Sequence, residues 1–256
     1  MPRVDGGETT KGTKIPTIHN VDILDASGSM FGSKYENAIS GINEGINTFK
    51  NSTEARYTTT VIEFDEGFGA MPYWNADVKA KTSIVEGCRT TTHYFMQPAA
   101  TCGTIVGRGA NGGTPLNQTV GETIERILKV TEGTEDKVII RVFTDGAENA
   151  SKGKFAHPSV LKALIANVEA NHNFTVTFMG TQEEVNYMVN SIGLDIGNTI
   201  AHNNTAADVK RMYRRANLGT VAYTTAFAAG ASQDELSRGF FKRVADEQDE
   251  ETNKKP

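Results

Sequence analysis

The sequence predicts an α/β protein: a doubly wound, mostly parallel central sheet with one antiparallel edge strand and helices on both faces, Rossmann-like in layout. Three observations carry this. Strand-length apolar runs alternate with stretches of helical periodicity from Thr17 onward. The run Val138-Ile139-Ile140-Arg141-Val142-Phe143 is nearly continuous in apolar residues, as a strand covered on both faces must be. Polar, Gly-containing turns follow the runs, as at the carboxyl edge of an open α/β sheet.

Taken in order, Met1 to Lys14 is Gly, Thr and charge without periodicity, and is expected to be a flexible arm. Thr17 to Leu24 reads as a strand. Tyr35, Ala38, Ile39, Ile42, Ile46 and Phe49 recur at helical spacing, with Gly41 and Gly45 weakening that helix. Tyr57 to Phe64 is rich in β-branched and aromatic residues and reads as a strand. Asp65 to Gly113 is expected to hold one edge strand and long loops. Pro115 suits the first position of a helix carrying Leu116, Val120, Ile124 and Ile127. Asp136 to Thr144 is the most apolar strand. Pro158 opens a helix with Val160, Leu161, Leu164, Ile165 and Val168 on one face, and Phe174 to Met179 is a strand. Glu183 to Ile192 is a helix capped by Gly193, Thr199 to Ala201 a short strand, and Ala206 to Ala216 a charged helix. The small apolar stretch Val221 to Gly230 fits a docked tail or an oligomer contact. The expected organisation is an arm over 1–14, a domain over 15–217 with a long loop region at about 66–112, and a C-terminal extension over 218–256.

Composition narrows the function classes. Of 256 residues, 38% are hydrophobic, enough for a globular core. The net charge of -5 argues against a wholesale basic surface for nucleic acid. Asp246, Glu247, Asp249, Glu250 and Glu251 account for that charge, and the rest is formally neutral. Lys210, Arg211, Arg214 and Arg215 crowd one helix, which fits a solvated face and leaves a local nucleic-acid stripe open. No run approaches the roughly 20 apolar residues of a spanning helix, and the first residues lack a signal-type apolar core. A soluble, cytoplasmic protein without membrane contact is expected. Two cysteines, Cys88 and Cys102, exclude a disulfide scaffold and a four-Cys zinc site, and are expected to be reduced. His19, His93, His157, His172 and His202 have no metal-like spacing. Tyr73, Trp74, His93, Tyr94 and Phe95 fit packing of the insert better than a partner-binding rim.

Three separated segments present oxygen side chains: Asp25-Ala26-Ser27-Gly28-Ser29-Met30, Gly112-Gly113-Thr114-Pro115-Leu116 and Phe143-Thr144-Asp145-Gly146. Carboxylates and hydroxyls without His or Cys suit a hard cation such as Mg²⁺ or Ca²⁺. Asp25, Ser27 and Ser29 alternate, so an extended turn would point all three the same way. The competing reading, Ser27 and Ser29 as helix caps, would leave Thr114 and Asp145 coincidental. Asp22, Asp65 and Glu66 are further candidates, with Asp65 and Glu66 better read as solvated strand-end charges. Glu148 and Asn149 fit a supporting role or ordinary loop polarity equally.

These residues resemble the von Willebrand factor type A domain with its metal-ion-dependent adhesion site. Asp25, Ser27, Ser29, Thr114 and Asp145 match its pattern in chain order, over about Lys14 to Asn217. The stretch Thr144 to Ser151 looks like compact stand-alone members from bacteria and bacteriophages. The long 66–112 region departs from such members, so ligand specificity does not carry over. The resemblance implies a Mg²⁺ site, with Mn²⁺ or Ca²⁺ as alternatives. Ser27, Ser29 and Thr114 would offer hydroxyls, Asp25 and Asp145 would bind directly or through water, and a partner's Glu or Asp would complete the coordination. The expected function is thus a protein-binding module, not an enzyme. Local motifs suggest no Ser–His–Asp or Cys–His set, and no Walker loop occurs. The alternatives are a Mg²⁺-dependent phosphohydrolase or nucleotide-binding enzyme, which would want a second carboxylate where Ser27 stands, and an adaptor for an intracellular ATPase or large assembly.

Overall fold

The computed structural model describes residues 17–67, 80–203 and 205–244. The arm over 1–14, Tyr73, Trp74 and the acidic cluster Asp246 to Glu251 lie outside the described residues. The central sheet has seven strands: β1 (Thr17–Asp25), β2 (Arg56–Glu66), β3 (Lys81–Val85), β4 (Cys88–Pro98), β5 (Lys137–Phe143), β6 (Phe174–Thr181) and β7 (Thr199–His202), in the order β3-β4-β2-β1-β5-β6-β7. β2, β1, β5, β6 and β7 pair in parallel, while β4 runs antiparallel to both β2 and β3. The helices are α1 (Ser33–Lys50), α2 (Leu116–Thr131), α3 (Pro158–Asn171), α4 (Gln182–Tyr187), α5 (Ala206–Ala228) and the short α6 (Gln233–Leu236).

Side-chain alternation along the strands builds two cores. Ile18 and Leu24 of β1 and Ile139 and Phe143 of β5 join the core beneath α1 and α5. Val21 and Ile23 of β1 and Val138, Ile140 and Val142 of β5 join the core beneath α2, α3 and α4. Gly41 and Gly45 serve the α1–α5 crossing, because a Cβ at either would fall 2.4 Å from Tyr213 Cβ or 2.5 Å from Asn217 Oδ1. Glycine's weak helix propensity is the cost of that close approach.

Several expectations change. The single edge strand in the Asp65–Gly113 region is a hairpin, β3 and β4, with β3 outermost. The helix from Ala206 continues past Ala216 to Ala228, because Tyr223 and Thr224 are buried and Tyr57 donates to Thr224 Oγ1 at 2.6 Å. Leu236, Phe240 and Phe241 then close the same core, so Val221 to Gly230 belongs to a docked segment. Pro115 precedes α2 at its N-cap position. The helix over Glu183 to Ile192 is α4 plus a π turn (Met188–Ile192), and Gly193 caps it at φ 85°. Among the described residues, no helix is long and apolar enough to cross a membrane.

Candidate metal centre

β1 and β5 lie side by side in parallel, with Leu24 paired to Phe143, so their C-terminal ends emerge together. The chain leaves β1 toward β2 through α1, and it enters β5 through α2 on the opposite face. This is a topological switch point, the place where such sheets bind ligands. Asp25 ends β1, and Thr144 and Asp145 follow β5.

Asp25 is fully buried. Its Oδ1 accepts from the Ser27 amide at 2.7 Å, and its Oδ2 accepts from Thr144 Oγ1. Burial pushes its carboxyl up to about 7, against the hydrogen bonds from Thr144 and Ser27, and the Asp145 charge adds to the rise. Ser27 and Ser29 come together differently from the alternating extended turn. Gly28–Met30 forms one 3₁₀ turn, closed by the Met30 amide on Ser27 O at 3.1 Å, and the two hydroxyls meet at 3.0 Å. Ser27 makes no side-chain cap bond to this turn, and Gly32 stands at the N-cap of α1, so the helix-cap reading fails.

The second loop is tied to the first. Asn111 N donates to Ala26 O at 2.7 Å and Gly28 N to Gly112 O at 2.9 Å. Gly112 sits at φ 80°, where a Cβ would strike Glu66 O at 2.4 Å, so only glycine fits. Thr114 and Asn149 form a reciprocal pair: Thr114 N donates to Asn149 Oδ1 at 2.8 Å, and Asn149 N donates to Thr114 O at 3.2 Å. Asn149 therefore ties the loop after β5 to Thr114. Glu148 accepts from the amides of Asn117, Ala150 and Ser151 and shapes the same loop.

Two observations test whether a cation fits. A methyl group placed on Gly146 would lie 3.0 Å from both Ser29 Oγ and Thr114 Oγ1 and 3.6 Å from Asp25 Oδ2, so oxygens from the first two loops surround one small volume beside the third. Asp145 Oδ1 is buried without a hydrogen-bond partner, an expensive state for a carboxylate oxygen that lacks a cation. The residues fit a hard divalent ion. Among the described residues, no cluster of three His, Cys, Asp or Glu side chains offers a zinc-type site.

Lys34 went unmarked in the sequence. Its ammonium donates to Asp145 Oδ2 from the first turn of α1. Its position soon after Ser29 was the available signal. Other candidates take structural roles. Asp65 is no solvated charge: it is buried and accepts from Arg89 Nε at 2.8 Å and Arg108 Nη1 at 3.0 Å, because the hairpin covers the end of β2. Glu66 stays partly exposed, 3.8 Å from Lys152. Asp22 is clamped by Arg141. His19 pairs with Asp136 at 3.1 Å and His93 with Glu63 at 2.5 Å, while burial lowers the pKa of His202. Phe95 packs under the Arg126 guanidinium at 3.7 Å. On α5, Arg211 pairs with Asp208.

No family model matches the sequence, and no curated protein matches it. Solved structures do. A von Willebrand factor type A protein from Catenulispora acidiphila is 19% identical with a TM-score of 0.52, covering 81% of this chain and 43% of that one. The pilus adhesin SpaC from Lactobacillus rhamnosus GG, in an open conformation, is 11% identical with a TM-score of 0.55, covering 81% of this chain and 30% of that one. Proximal thread matrix protein 1 from the mussel byssus is 13% identical with a TM-score of 0.51, covering 79% of this chain and 47% of that one. The chain spans less than half the length of each. At such identities the likeness is one of fold, and it agrees with the strand order and the switch-point loops: the chain has the von Willebrand factor type A fold.

Proposed function

We propose that the chain is a metal-dependent protein-interaction module. In this reading Asp25, Ser27, Ser29, Thr114 and Asp145 hold Mg²⁺, with Mn²⁺ or Ca²⁺ as substitutes, and a Glu or Asp of a partner protein completes the site. The observation that carries it is the convergence of Ser29, Thr114 and Asp25 oxygens on the space beside Gly146, together with the buried, unpartnered Oδ1 of the preceding residue, Asp145. When bound, the ion supplies a positive centre whose coordination the protein leaves incomplete. The side chains do the rest. Asp25 and Asp145 supply negative charge from buried positions, and three neutral hydroxyls supply oxygens without cancelling more of the ion's charge. Ser29 is exposed and marks the accessible side, whereas Ser27 and Thr114 are buried. A hydrolytic reading is less well supported, because Ser27 stands where a second carboxylate would serve as base. The buried free thiols of Cys88 and Cys102 fit a cytoplasmic setting.

The test is a pull-down with the wild-type chain in Mg²⁺, the same in EDTA, and Asp25→Ala in Mg²⁺. A protein retained only in the first supports the reading, and an ATPase in that position would make the module an adaptor. A protein retained equally in all three places the interface elsewhere.

A further inference from the structure

We propose that Lys34 tunes the metal centre: it holds Asp145 through Oδ2, leaves Oδ1 for the cation, and keeps the loaded site positive enough to attract a carboxylate. The inference rests on the metal reading above. Lys34 is the second residue of α1, and its ammonium donates to Asp145 Oδ2. The Asp145 side chain is fully buried and that of Lys34 only 19% exposed, so this is not a solvent-screened surface pair. Helix chemistry does not explain the lysine either. A cation in the first turn opposes the helix dipole, which favours anions there. Gly32, at φ 88° with open space around it, turns the chain from the 3₁₀ turn into α1, and the ammonium two residues on reaches Asp145.

The division of labour follows from the two oxygens of one carboxylate. Oδ2 is occupied by the ammonium, and Oδ1 is the buried oxygen without a partner. Asp145 is also the carboxylate whose charge acts on Asp25. With both carboxylates ionised, a divalent ion would bring the pair to neutrality, and a partner's carboxylate would meet no net attraction. The Lys34 ammonium shifts the loaded centre by one positive charge. It thereby weakens the hold on the ion and strengthens the hold of the loaded site on an acidic ligand. Lys34 is a positioning residue in this account.

The opposed signs make the test, since a merely structural lysine would move both affinities the same way. Calorimetry with Mn²⁺ on the full chain gives the ion's affinity. Water-proton relaxation of the Mn²⁺-loaded protein, titrated with acetate, gives the affinity for a carboxylate. For Lys34→Met we expect Mn²⁺ to bind about fivefold tighter and acetate to bind severalfold more weakly. Lys34→Arg should restore both toward wild type. Mn²⁺ affinity unchanged or lowered in Lys34→Met, or acetate binding unchanged, would overturn the role of Lys34 while leaving the metal site standing. Absence of Mn²⁺ binding in wild type and both variants would overturn the metal site, and this role with it.

Discussion

Asp22 and Asp25 lie on the same strand, and both are buried, yet their surroundings differ in kind. Asp22 faces the core beneath α1 and α5. There Arg141, paired to it in register across β1 and β5, donates from Nε at 2.9 Å and from Nη2 at 2.8 Å. The arginine is in turn held by Asn217 Oδ1 at 2.8 Å. Asp25 receives neutral donors, the Thr144 hydroxyl and the Ser27 amide among them. A carboxylate that carries its own cation within the fold is part of the scaffold. One that meets only neutral donors leaves its charge to be met from outside. This contrast separates a structural ion pair from a candidate site, where the sequence shows aspartates in one strand.

The sharpest way to break the comparison is to remove the cation that Asp22 owns. Arg141→Met should cost about 3–5 kcal/mol in denaturant unfolding, because it strands a buried charge. Adding Asp22→Asn should recover part of that loss. Filling the space beside Gly146 comes next. Gly146→Ala should lower divalent-ion affinity about tenfold by calorimetry, with the unfolding midpoint nearly unchanged, since its methyl meets Ser29 Oγ and Thr114 Oγ1 at 3.0 Å. A third buried carboxylate sharpens the contrast through pH. Glu169, away from the site, accepts the Val176 amide at 3.0 Å, and burial raises its carboxyl to about 7 from 4.5. The folded chain therefore keeps a proton that the unfolded chain has released, so stability falls as pH rises from about 4.5 to about 7. Glu169→Gln should flatten that part of a stability–pH curve. The smallest effect belongs to Asp25 itself. In EDTA, Asp25→Asn should change unfolding free energy by less than about 1 kcal/mol, because no internal cation is abandoned.

Much of this was legible in the sequence, for physical reasons. The β5 run announced a strand buried on both faces, and the Asp25, Ser27, Ser29, Thr114 and Asp145 spacing announced three loops with matching chemistry. The fates of Asp65 and Asp22 were hidden, since each depends on arginines 24 or more residues away that meet them only across the sheet. Lys34 was hidden for a related reason: its partner, Asp145, is brought to it only by the fold, from 111 residues along the chain. The continuation of α5 to Ala228 was masked because its buried face there is made of Gly219, Thr220, Tyr223 and Thr224, a poor helical stripe by hydrophobicity. The hairpin was masked because β3 has no buried residue to reveal its period.

The central claim is that Asp25 and Asp145 hold a divalent cation together with Ser27, Ser29 and Thr114. Calorimetric titration of Mg²⁺ into wild type, Asp25→Ala and Asp145→Ala tests it most directly. The account predicts saturable binding by wild type that is lost in both variants. Equal heats in all three, or none in wild type, would contradict it.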